Sequence, residues 1–253
     1  AEVNDSTVII CSRHIKQAKR AVTQIKGKAF AAEVDLTNDS SVKQFIQQVL
    51  DNHKRIDILI NNAGYPFDKN IWYKKFHEVS NKELDRIIEV DLKGSARLAR
   101  EVIPLMLQNN YGEDIDEIKT KKGKRQKRTD RIGLGGGGGV IINISSTPAI
   151  AGHTKGSPYT IAKAANIALT KCISKEYGAN NIRAYSLALG NIATAATYES
   201  MTKEDRDMAT QEPSMKRWGR PEEVAKVAAC IADDNFSFVT GNTIIIDGGN
   251  ILL

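Results

Sequence analysis

The chain has 253 residues, is 41% hydrophobic and carries a formal net charge of +6, which is enough length and apolar content to bury one sizeable core in a single α/β domain without disulfide staples. Its three cysteines are an odd number without ligand-like spacing, so neither a disulfide framework nor a metal site is predicted, and a reducing cytoplasm is the expected location. No apolar stretch approaches membrane-spanning length, and the N-terminus lacks the charged-then-apolar order of a signal peptide.

The first part of the chain alternates short apolar runs with helical stretches. Thr7–Cys11 and Ala29–Val34 are predicted as buried strands, and Ile56–Ile60 as a third strand. The helical stretches run from about residue 15 to 25 and from about 40 to 52. Strands and helices that alternate at this spacing predict a parallel, doubly wound sheet.

Polar or small residues follow each of these strands. Ser12 and Arg13 follow the first strand, Asp35 and Leu36 follow the second, and Asn61-Asn62-Ala63-Gly64 ends the third. The alanine and glycine are small enough to let the backbone approach a ligand closely. The alternative for Asn61–Gly64 is an ordinary strand-to-helix turn. The alternative for Asp35 is that it only caps the loop that follows its strand.

A long connection and a long helical pattern come next. Residues 65–80 contain Trp72, Tyr73 and Phe76, and form either the edge of a lid or a packed loop. From Asn81 to about Asn109 the apolar residues recur at helical spacing. A helix is therefore predicted across this whole stretch.

The positive charge is concentrated in one segment. Residues 119–131 contain eight basic residues and one acid, a net charge of +7, so the remainder of the chain carries −1. This run contains no aromatic residue that could stack on bases, so we favour a solvated loop over a nucleic-acid-binding arm. Gly135–Gly139 precede a strand, whereas a phosphate cradle should follow one, so they indicate a flexible lead-in. We expect a basic, glycine-rich insertion at about 110–139.

The pattern that indicates chemistry follows this insertion. Val140–Ser146 is typical of a strand buried on both faces, and its last residues are hydroxylic. Ser157 can cap a following helix with Pro158 in its first turn, which places Tyr159 and Lys163 one turn apart on the same face. A nearby ammonium favours the ionised form of a phenol and makes it a usable proton donor and acceptor. Such a pair alone is also common on surfaces; the strand end beside it favours a site, because chemistry in open parallel sheets lies at the carboxyl ends of strands.

The remaining chain supplies one more strand pattern and several loops. Asn181–Ala188 is a predicted strand, and Leu189-Gly190-Asn191-Ile192-Ala193-Thr194 follows it. Residues 195–216 carry Tyr198 and three methionines; the residues alone indicate a surface helix, and the family resemblance given below implies a mobile lid. Lys216–Ala225 and Val239–Gly249 close the chain, and the same resemblance implies a helix and a strand there.

These motifs together resemble the short-chain dehydrogenase/reductase family, and the resemblance covers essentially the whole chain. It is carried by Asn61–Gly64, by Ser146 thirteen residues before Tyr159, by Lys163, and by the segments at 189–194, 216–225 and 239–249. It implies a Rossmann-like α/β fold and an enzyme that reduces carbonyls or oxidises alcohols with a nicotinamide cofactor. The 217–225 segment is similar to that of 3-oxoacyl reductases, and the resemblance also implies a homo-oligomer, a dimer or a tetramer.

The resemblance assigns the catalytic roles. It implies that Tyr159 protonates the carbonyl oxygen, that Ser146 hydrogen-bonds it, and that Lys163 binds the nicotinamide ribose and tunes the tyrosine. Asp91 stands where the family has an asparagine whose backbone holds a water in the proton relay. Asp91 either serves through its backbone or, if its carboxylate lies near Lys163, opposes the effect of the cation on the tyrosine.

The resemblance also assigns the cofactor contacts. It implies that Asn62, Ala63 and Gly64 line the adenosine and ribose side and that Asp35 meets the adenine ring with Leu36 beside it. Tyr159 and Lys163 contact the nicotinamide ribose, and the carboxamide is held by Gly190, Ile192 and Thr194. Leu189 replaces the proline usual in this loop.

Cofactor choice depends on the end of the first strand. A carboxylate there would bind a ribose 2′-hydroxyl, whereas a guanidinium would pair with a 2′-phosphate. Ser12 and Arg13 include no acid. NADP(H) is therefore preferred, and NAD(H) stays open.

One part of the family pattern is absent from the sequence. The family places a central first strand and a glycine-rich phosphate-binding turn before the strand at Thr7–Cys11, and no glycine precedes Thr7. The fold is then N-terminally incomplete, with unpaired backbone groups at the gap. Either the chain is a fragment, which we favour, or the remaining strands close up, or a partner supplies the strand.

The sequence therefore predicts a hydride-transferring oxidoreductase that acts on a carbonyl or alcohol with NADP(H). The alternative is a cofactor-less relative with a structural or regulatory role, motivated by the absent turn and by Asp91 and Leu189. Neither a membrane nor a metal is an expected partner, and nucleic acid is disfavoured.

Overall fold

The structure is a computed structural model that describes residues 6–109, 118–119, 125–126, 138–199 and 201–252. Strands and helices alternate along most of the described chain, as the sequence predicts. The strands are β1 (Val8–Ser12), β2 (Ala29–Glu33), β3 (Ile58–Asn61), β4 (Ile118–Lys119), β5 (Arg125–Gln126), β6 (Gly139–Ser146), β7 (Ile182–Leu189) and β8 (Thr243–Ile246). The helices are α1 (Ile15–Val22), α2 (Asp39–His53), α3 (Lys69–Trp72), α4 (Asn81–Ile88), α5 (Gly94–Met106), α6 (Pro148–Ala151), α7 (Ser157–Tyr177), α8 (Ala195–Tyr198), α9 (Lys203–Gln211) and α10 (Pro221–Ala232).

A four-stranded parallel sheet positions the candidate site. Its order is β3-β6-β7-β8, and every pairing in it is parallel. A separate parallel pair is formed by β1 and β2, and β4 with β5 forms an antiparallel pair. Because parallel neighbours need crossover connections, helices separate them along the chain. The predicted Rossmann-like α/β class is confirmed.

Helices cover both faces of the four-stranded sheet. Alternate residues of β6 and β7 point to opposite faces, so Ile141 and Ala184 pack with α2, α5 and α7, while Ile142 and Leu187 pack with α10. All four side chains are fully buried. This two-sided burial explains why β6 and β7 are nearly continuous apolar runs.

The two parallel sheets share one core without sharing hydrogen bonds. Ile9 of β1 and Leu59 of β3 pack against the same cluster around Val42 and Val102. Among the described residues, however, β1 pairs only with β2, and β3 only with β6. The alternative in which the remaining strands close up into one sheet is therefore not the arrangement found.

Three sequence predictions differ from the structure. The helix predicted over 81–109 is interrupted by a π-helical turn at Glu89–Lys93 and ends at Met106. The first helix ends at Val22 instead of near residue 25. Ser157 does not cap α7: Gly156 is the N-cap, with φ of 66°, and the Ser157 hydroxyl is buried without a hydrogen-bond partner in the described structure. Most of the predicted basic insertion lies outside the described residues.

Candidate active site

The carboxyl ends of β6 and β7 lie side by side at the candidate site. Ser146 is in register with Leu189, and its hydroxyl donates a 3.3 Å hydrogen bond to the Leu189 carbonyl oxygen. Helix α7 packs against both strands and carries Tyr159 in its first turn and Lys163 in its second. The serine, the tyrosine and the lysine are therefore brought to the same edge of the sheet, as predicted.

Lys163 is buried, with 4% of its surface exposed, and has defined contacts. Its Nζ atom donates to the carbonyl oxygen of Ile144 at 3.1 Å and lies 3.1 Å from Oδ1 of Asp91. The same atom is 5.6 Å from the ring centre of Tyr159. The hydrogen bond to Ile144 uses one of the three N–H donors of the ammonium. The contact with Asp91 is an ion pair without hydrogen-bond geometry, since Oδ1 of Asp91 has no hydrogen-bond partner among the described residues.

The π-helical turn places Asp91 against Lys163. Asp91 is fully buried, and its Oδ2 accepts a 2.7 Å hydrogen bond from the backbone N–H of Tyr65. Its carbonyl oxygen accepts from Asn166 Nδ2 at 2.8 Å and from Ser95 Oγ at 3.1 Å. The sequence left open whether Asp91 acts through its backbone carbonyl or through its carboxylate. In the structure the carboxylate lies beside the lysine, and the backbone carbonyl is bound by other side chains.

A cavity of about 810 Å³ lies at this edge of the sheet, and Ser146 and Tyr159 both line it. Its wall is rich in large apolar side chains. These are Tyr65, Phe67, Ile71, Trp72, Tyr73, Ile87, Met201, Met208, Trp218 and Ile251. Such a cavity can exclude water from a reacting carbonyl while it presents two hydroxyl groups to that carbonyl.

Trp72 forms the wall nearest the tyrosine. Its ring packs edge-on against Tyr159, with centroids 5.9 Å apart, and also contacts His153 at 5.6 Å. The sequence alone is compatible with either a lid edge or a packed loop at residues 65–80. The structure places this segment beside the tyrosine as part of the cavity wall.

The loop at 190–194 is held by one close backbone contact and by two hydrogen bonds. Gly190 lies so near Asp247 that a Cβ atom on the glycine would be 2.6 Å from the Cβ of the aspartate. Gly219 donates to the carbonyl oxygen of Asn191 and accepts from the N–H of Ala193, each at 2.9 Å. Ile192 and Thr194 line the cavity as a result.

Helices α8 and α9 cover the cavity from the side of the predicted lid. Trp218 packs edge-on against Tyr198 at 5.1 Å, and its Nε1 donates to Thr210 Oγ1 at 3.0 Å. In the sequence, the segment around Trp218 indicates a helix start and no role at a site. The structure shows that this residue lines the cavity and contacts both covering helices.

The remaining predicted residues lie at the ends of β1, β2 and β3, outside the lining of this cavity. Two hydrogen bonds from Thr37, first from its hydroxyl and then from its amide, hold the pKa of Asp35 below its usual range, and the charge of Arg13 adds to this effect. The Leu36 carbonyl oxygen accepts from Arg97 at 3.0 Å. Gly64 approaches Asp91 so closely that a Cβ on the glycine would lie 3.0 Å from the carboxylate.

The residues present fit the nicotinamide half of a dinucleotide. Ile192 and Thr194 line the cavity together with Tyr159, and Lys163 lies buried 5.6 Å from the ring centre of that tyrosine, outside the cavity lining. We assign no pyrophosphate contact among the described residues.

Two residues of this site were not singled out in the sequence. Asn166 lies one turn beyond Lys163 on the same helix, and its position at i+3 could have placed it on the face of that lysine. The amide of Tyr65 carried no sequence signal, because it is a backbone group fixed by a loop.

Two further features bear on what the chain can bind. Within the described ranges, no helix is both long and apolar enough to cross a membrane. The same part of the chain contains no group of three or more His, Cys, Asp or Glu side chains arranged to hold a metal ion.

Comparison with known proteins gives the following matches. Residues 3–125 match the family model for short chain dehydrogenase, and residues 129–250 match the family model for enoyl-(acyl carrier protein) reductase. A 3-oxoacyl-[acyl-carrier-protein] reductase of Thermotoga maritima is 30% identical over 228 residues, which are 90% of this chain and 79% of that protein. An uncharacterized oxidoreductase of Bacillus subtilis is 32% identical over 252 residues, 96% of this chain and 81% of that protein. Glucose 1-dehydrogenase 2 of the same organism is 27% identical over 231 residues, 91% of this chain and 78% of that protein.

Proposed function

Because this chain belongs to the short-chain dehydrogenase/reductase family and is an NAD(P)-dependent oxidoreductase, we propose that its substrate is a carbonyl or alcohol and that its preferred cofactor is NADP(H). The observation that carries the proposal is the convergence at one cavity. Ser146 and Tyr159 both line it, and Lys163 lies buried beneath Tyr159. This arrangement supplies a hydrogen-bond donor and a proton donor to one carbonyl oxygen.

In the direction of reduction, the nicotinamide would supply the hydride when it is bound. Tyr159 donates a proton to the carbonyl oxygen of the substrate. Ser146 donates a hydrogen bond to the same oxygen after its hydroxyl turns away from the Leu189 carbonyl oxygen, to which its single O–H donates in the structure. Lys163 would hold a ribose hydroxyl of the bound cofactor, and its charge favours the ionised phenol that is left after proton transfer. Ile192 and Thr194 would hold the carboxamide, and the adenosine half would be held by Asn62, Ala63, Gly64, Asp35 and Leu36.

We propose a 3-oxoacyl group as the first substrate class to test. The support is the 30% identity to 3-oxoacyl-[acyl-carrier-protein] reductases from Thermotoga maritima and, at 31%, Chlamydia pneumoniae. The large apolar lining of the cavity suits an acyl chain. A single domain with an insertion at about 110–139, assembly into a homo-oligomer and a cytoplasmic location belong to the same proposal.

The test is the variant Tyr159→Phe, which removes one hydroxyl and keeps the ring. We expect turnover of NADPH with an acetoacetyl thioester to fall by at least about 10²-fold, the contribution typical of one acid–base group. Tyr73→Phe is the matched control, since Tyr73 lines the same cavity without contacting Lys163. Retained activity in Tyr159→Phe would contradict the assignment.

The second candidate is a cofactor-less structural or regulatory relative. It is motivated by Asp91, whose carboxylate pairs with Lys163, and by Leu189 in the loop before Ile192 and Thr194. Fluorescence titration with NADPH separates the two candidates: saturable quenching of Trp72 or Trp218, which both line the cavity, supports the oxidoreductase. The absence of binding by a longer chain that carries the family's first strand and glycine-rich turn supports the structural relative.

A further inference from the structure

Asp91 is fully buried and does not reach the cavity. It is 0% exposed, and it does not line the cavity that Ser146 and Tyr159 share. Its carboxylate contacts Lys163 Nζ at 3.1 Å and the Tyr65 N–H at 2.7 Å. Any effect of this carboxylate on a reaction must therefore act through those two groups.

The charges around this pair are few. Helix α7 brings Lys163 and Tyr159, the π-helical turn brings Asp91, and β6 brings the uncharged carbonyl of Ile144. Glu89 and Lys93 flank Asp91 in the same turn, but they pair with each other at 3.0 Å, and their side chains are 29% and 58% exposed. Lys163 and Asp91 thus have only each other as buried charged partners among the described contacts.

A buried ammonium requires a compensating charge. Leaving one member of such a pair uncompensated is costly, because water no longer solvates it. An opposite charge at about 3 Å also cancels much of the field that the ammonium exerts on a phenol on its other side.

We propose that Asp91 is a positioning residue, whose carboxylate is the buried partner of Lys163 and offsets the effect of the lysine charge on Tyr159. The same carboxylate ties the lysine to the Gly64–Tyr65 turn through the Tyr65 N–H. Only the kinetic consequence rests on the proposed function. The pairing itself is independent of it.

The pairing is tested by thermal unfolding of Asp91→Asn, Lys163→Met and the double variant. Asn keeps the shape and can still accept from the Tyr65 N–H, so Asp91→Asn removes mainly the charge. We expect each single variant to unfold at a lower temperature than the unsubstituted chain, and the double variant to unfold no earlier than the less stable single variant. If the decreases in unfolding temperature of the two single variants add up in the double variant, the proposal is overturned. If Asp91→Asn fails to fold, recovery in the double variant supports the proposal and failure of both contradicts it.

The kinetic consequence is tested by the pH profile of turnover with NADPH. In Asp91→Asn the charge of Lys163 acts unopposed and stabilises the phenolate, so the limb of the profile set by proton donation should move to lower pH. Asn166→Leu is the matched control, since Asn166 binds the backbone carbonyl of Asp91 and its loss disturbs the turn without changing a charge. This control should slow turnover and leave the profile in place.

The two experiments have distinguishable outcomes. An unchanged limb, or a shift to higher pH, in Asp91→Asn would overturn the kinetic role. A chain that turns over no carbonyl at all would refute the proposed function, while the unfolding comparison would still decide the pairing.

Discussion

The backbone carbonyl of Trp72 accepts a 2.8 Å hydrogen bond from the N–H of Gly156, and the indole lies directly against the glycine. A Cβ atom at Gly156 would fall 2.3 Å from a ring carbon of Trp72. Gly156 is the N-cap of α7. This contact therefore fixes where the helix starts, and with it the position of Tyr159 in the cavity.

Gly156→Ala is expected to lower both stability and activity. The residue has φ of 66°, which costs a side-chain-bearing residue about 1–2 kcal/mol, and the methyl group would in addition displace Trp72. Thermal unfolding and NADPH turnover measure the two effects.

Gly152→Ala is the control for this prediction. Gly152 has φ of 76° and ψ of 171°, a region essentially confined to glycine, so its backbone cost is at least as large as that of the left-handed Gly156. No atom of the described residues lies within 4 Å of the position that a Cβ would take there, so Gly152→Ala makes no such contact. If Gly152→Ala loses as much activity as Gly156→Ala, the contact with Trp72 does not position the helix.

Arg183→Met is expected to destabilise the fold without touching the cavity. Arg183 is buried, and its guanidinium donates to the carbonyl oxygens of Ile231 and Asp233 at 3.3 and 3.0 Å, at the end of α10. These are charged hydrogen bonds of a buried guanidinium, so their loss should lower the unfolding free energy in urea by about 2–4 kcal/mol.

Arg55→Met tests whether burial of Arg183 is the reason for the expected loss of stability. Arg55 pairs with Asp57 where both side chains are more than two-fifths exposed, at 44% and 43%. Exposed pairs contribute little, so this variant should unfold near the same urea concentration as the unsubstituted chain. Equal losses in both variants would contradict the explanation.

The strands and the pairing of Tyr159 with Lys163 could be predicted because their signals are local. The continuous apolar runs of β6 and β7 indicate burial on both faces, and the spacing of Tyr159 and Lys163 is a property of any helix. Ser146 could be placed beside them because parallel strands end at one edge of a sheet.

The features that could not be predicted from the sequence depend on tertiary contacts, which no local pattern encodes. The π-helical turn at Glu89–Lys93 is held by Asn166 of α7, which binds the Asp91 carbonyl from seventy-five residues further along the chain. Gly156 is the N-cap instead of Ser157 because Trp72, more than eighty residues earlier, packs against the glycine. Propensity alone favours serine at a cap.

Glu83→Gln is expected to destabilise the protein in a pH-dependent way. Glu83 binds Lys74 at 2.6 Å and accepts the N–H of Ser80 at 2.9 Å, and these contacts, the first being the larger, lower its pKa from 4.5 to about 2. Because the folded pKa lies below the unfolded value, the ionised carboxylate stabilises the fold above about pH 4.5, and this contribution is lost as the pH falls towards 2.

Urea denaturation between pH 7 and pH 3 measures this difference. The gap in unfolding free energy between the unsubstituted chain and Glu83→Gln should be constant above about pH 4.5 and shrink below it. Glu176→Gln, on the exposed side of α7, removes the same charge and should show no such trend. A gap that is independent of pH would show that the carboxylate charge is not what stabilises this turn.

Arg13→Gln is expected to weaken NADPH binding selectively. Arg13 is exposed at the end of β1, where its guanidinium can pair with a 2′-phosphate that NADH lacks. A charged hydrogen bond contributes about 1.5–3 kcal/mol, so the Kd for NADPH should rise about 10- to 100-fold while that for NADH is unchanged. Equal effects of Arg13→Gln on both cofactors, measured by fluorescence titration, would show that this arginine does not select the phosphate.

Glu33→Gln is expected to change NADPH binding in the opposite direction. The structure places this acid beside the end of β1, where the sequence pattern did not indicate one: Glu33 is in register with Ser12, and its carboxylate accepts the Ile15 N–H at 3.0 Å. A carboxylate near a 2′-phosphate repels it, so its neutralisation should lower the Kd for NADPH in the same fluorescence titration. Glutamine can still accept the Ile15 N–H, so the start of α1 is kept. A Kd for NADPH that rises in Glu33→Gln as it does in Arg13→Gln would show that both residues act on the fold of this loop and not on the charge of the cofactor.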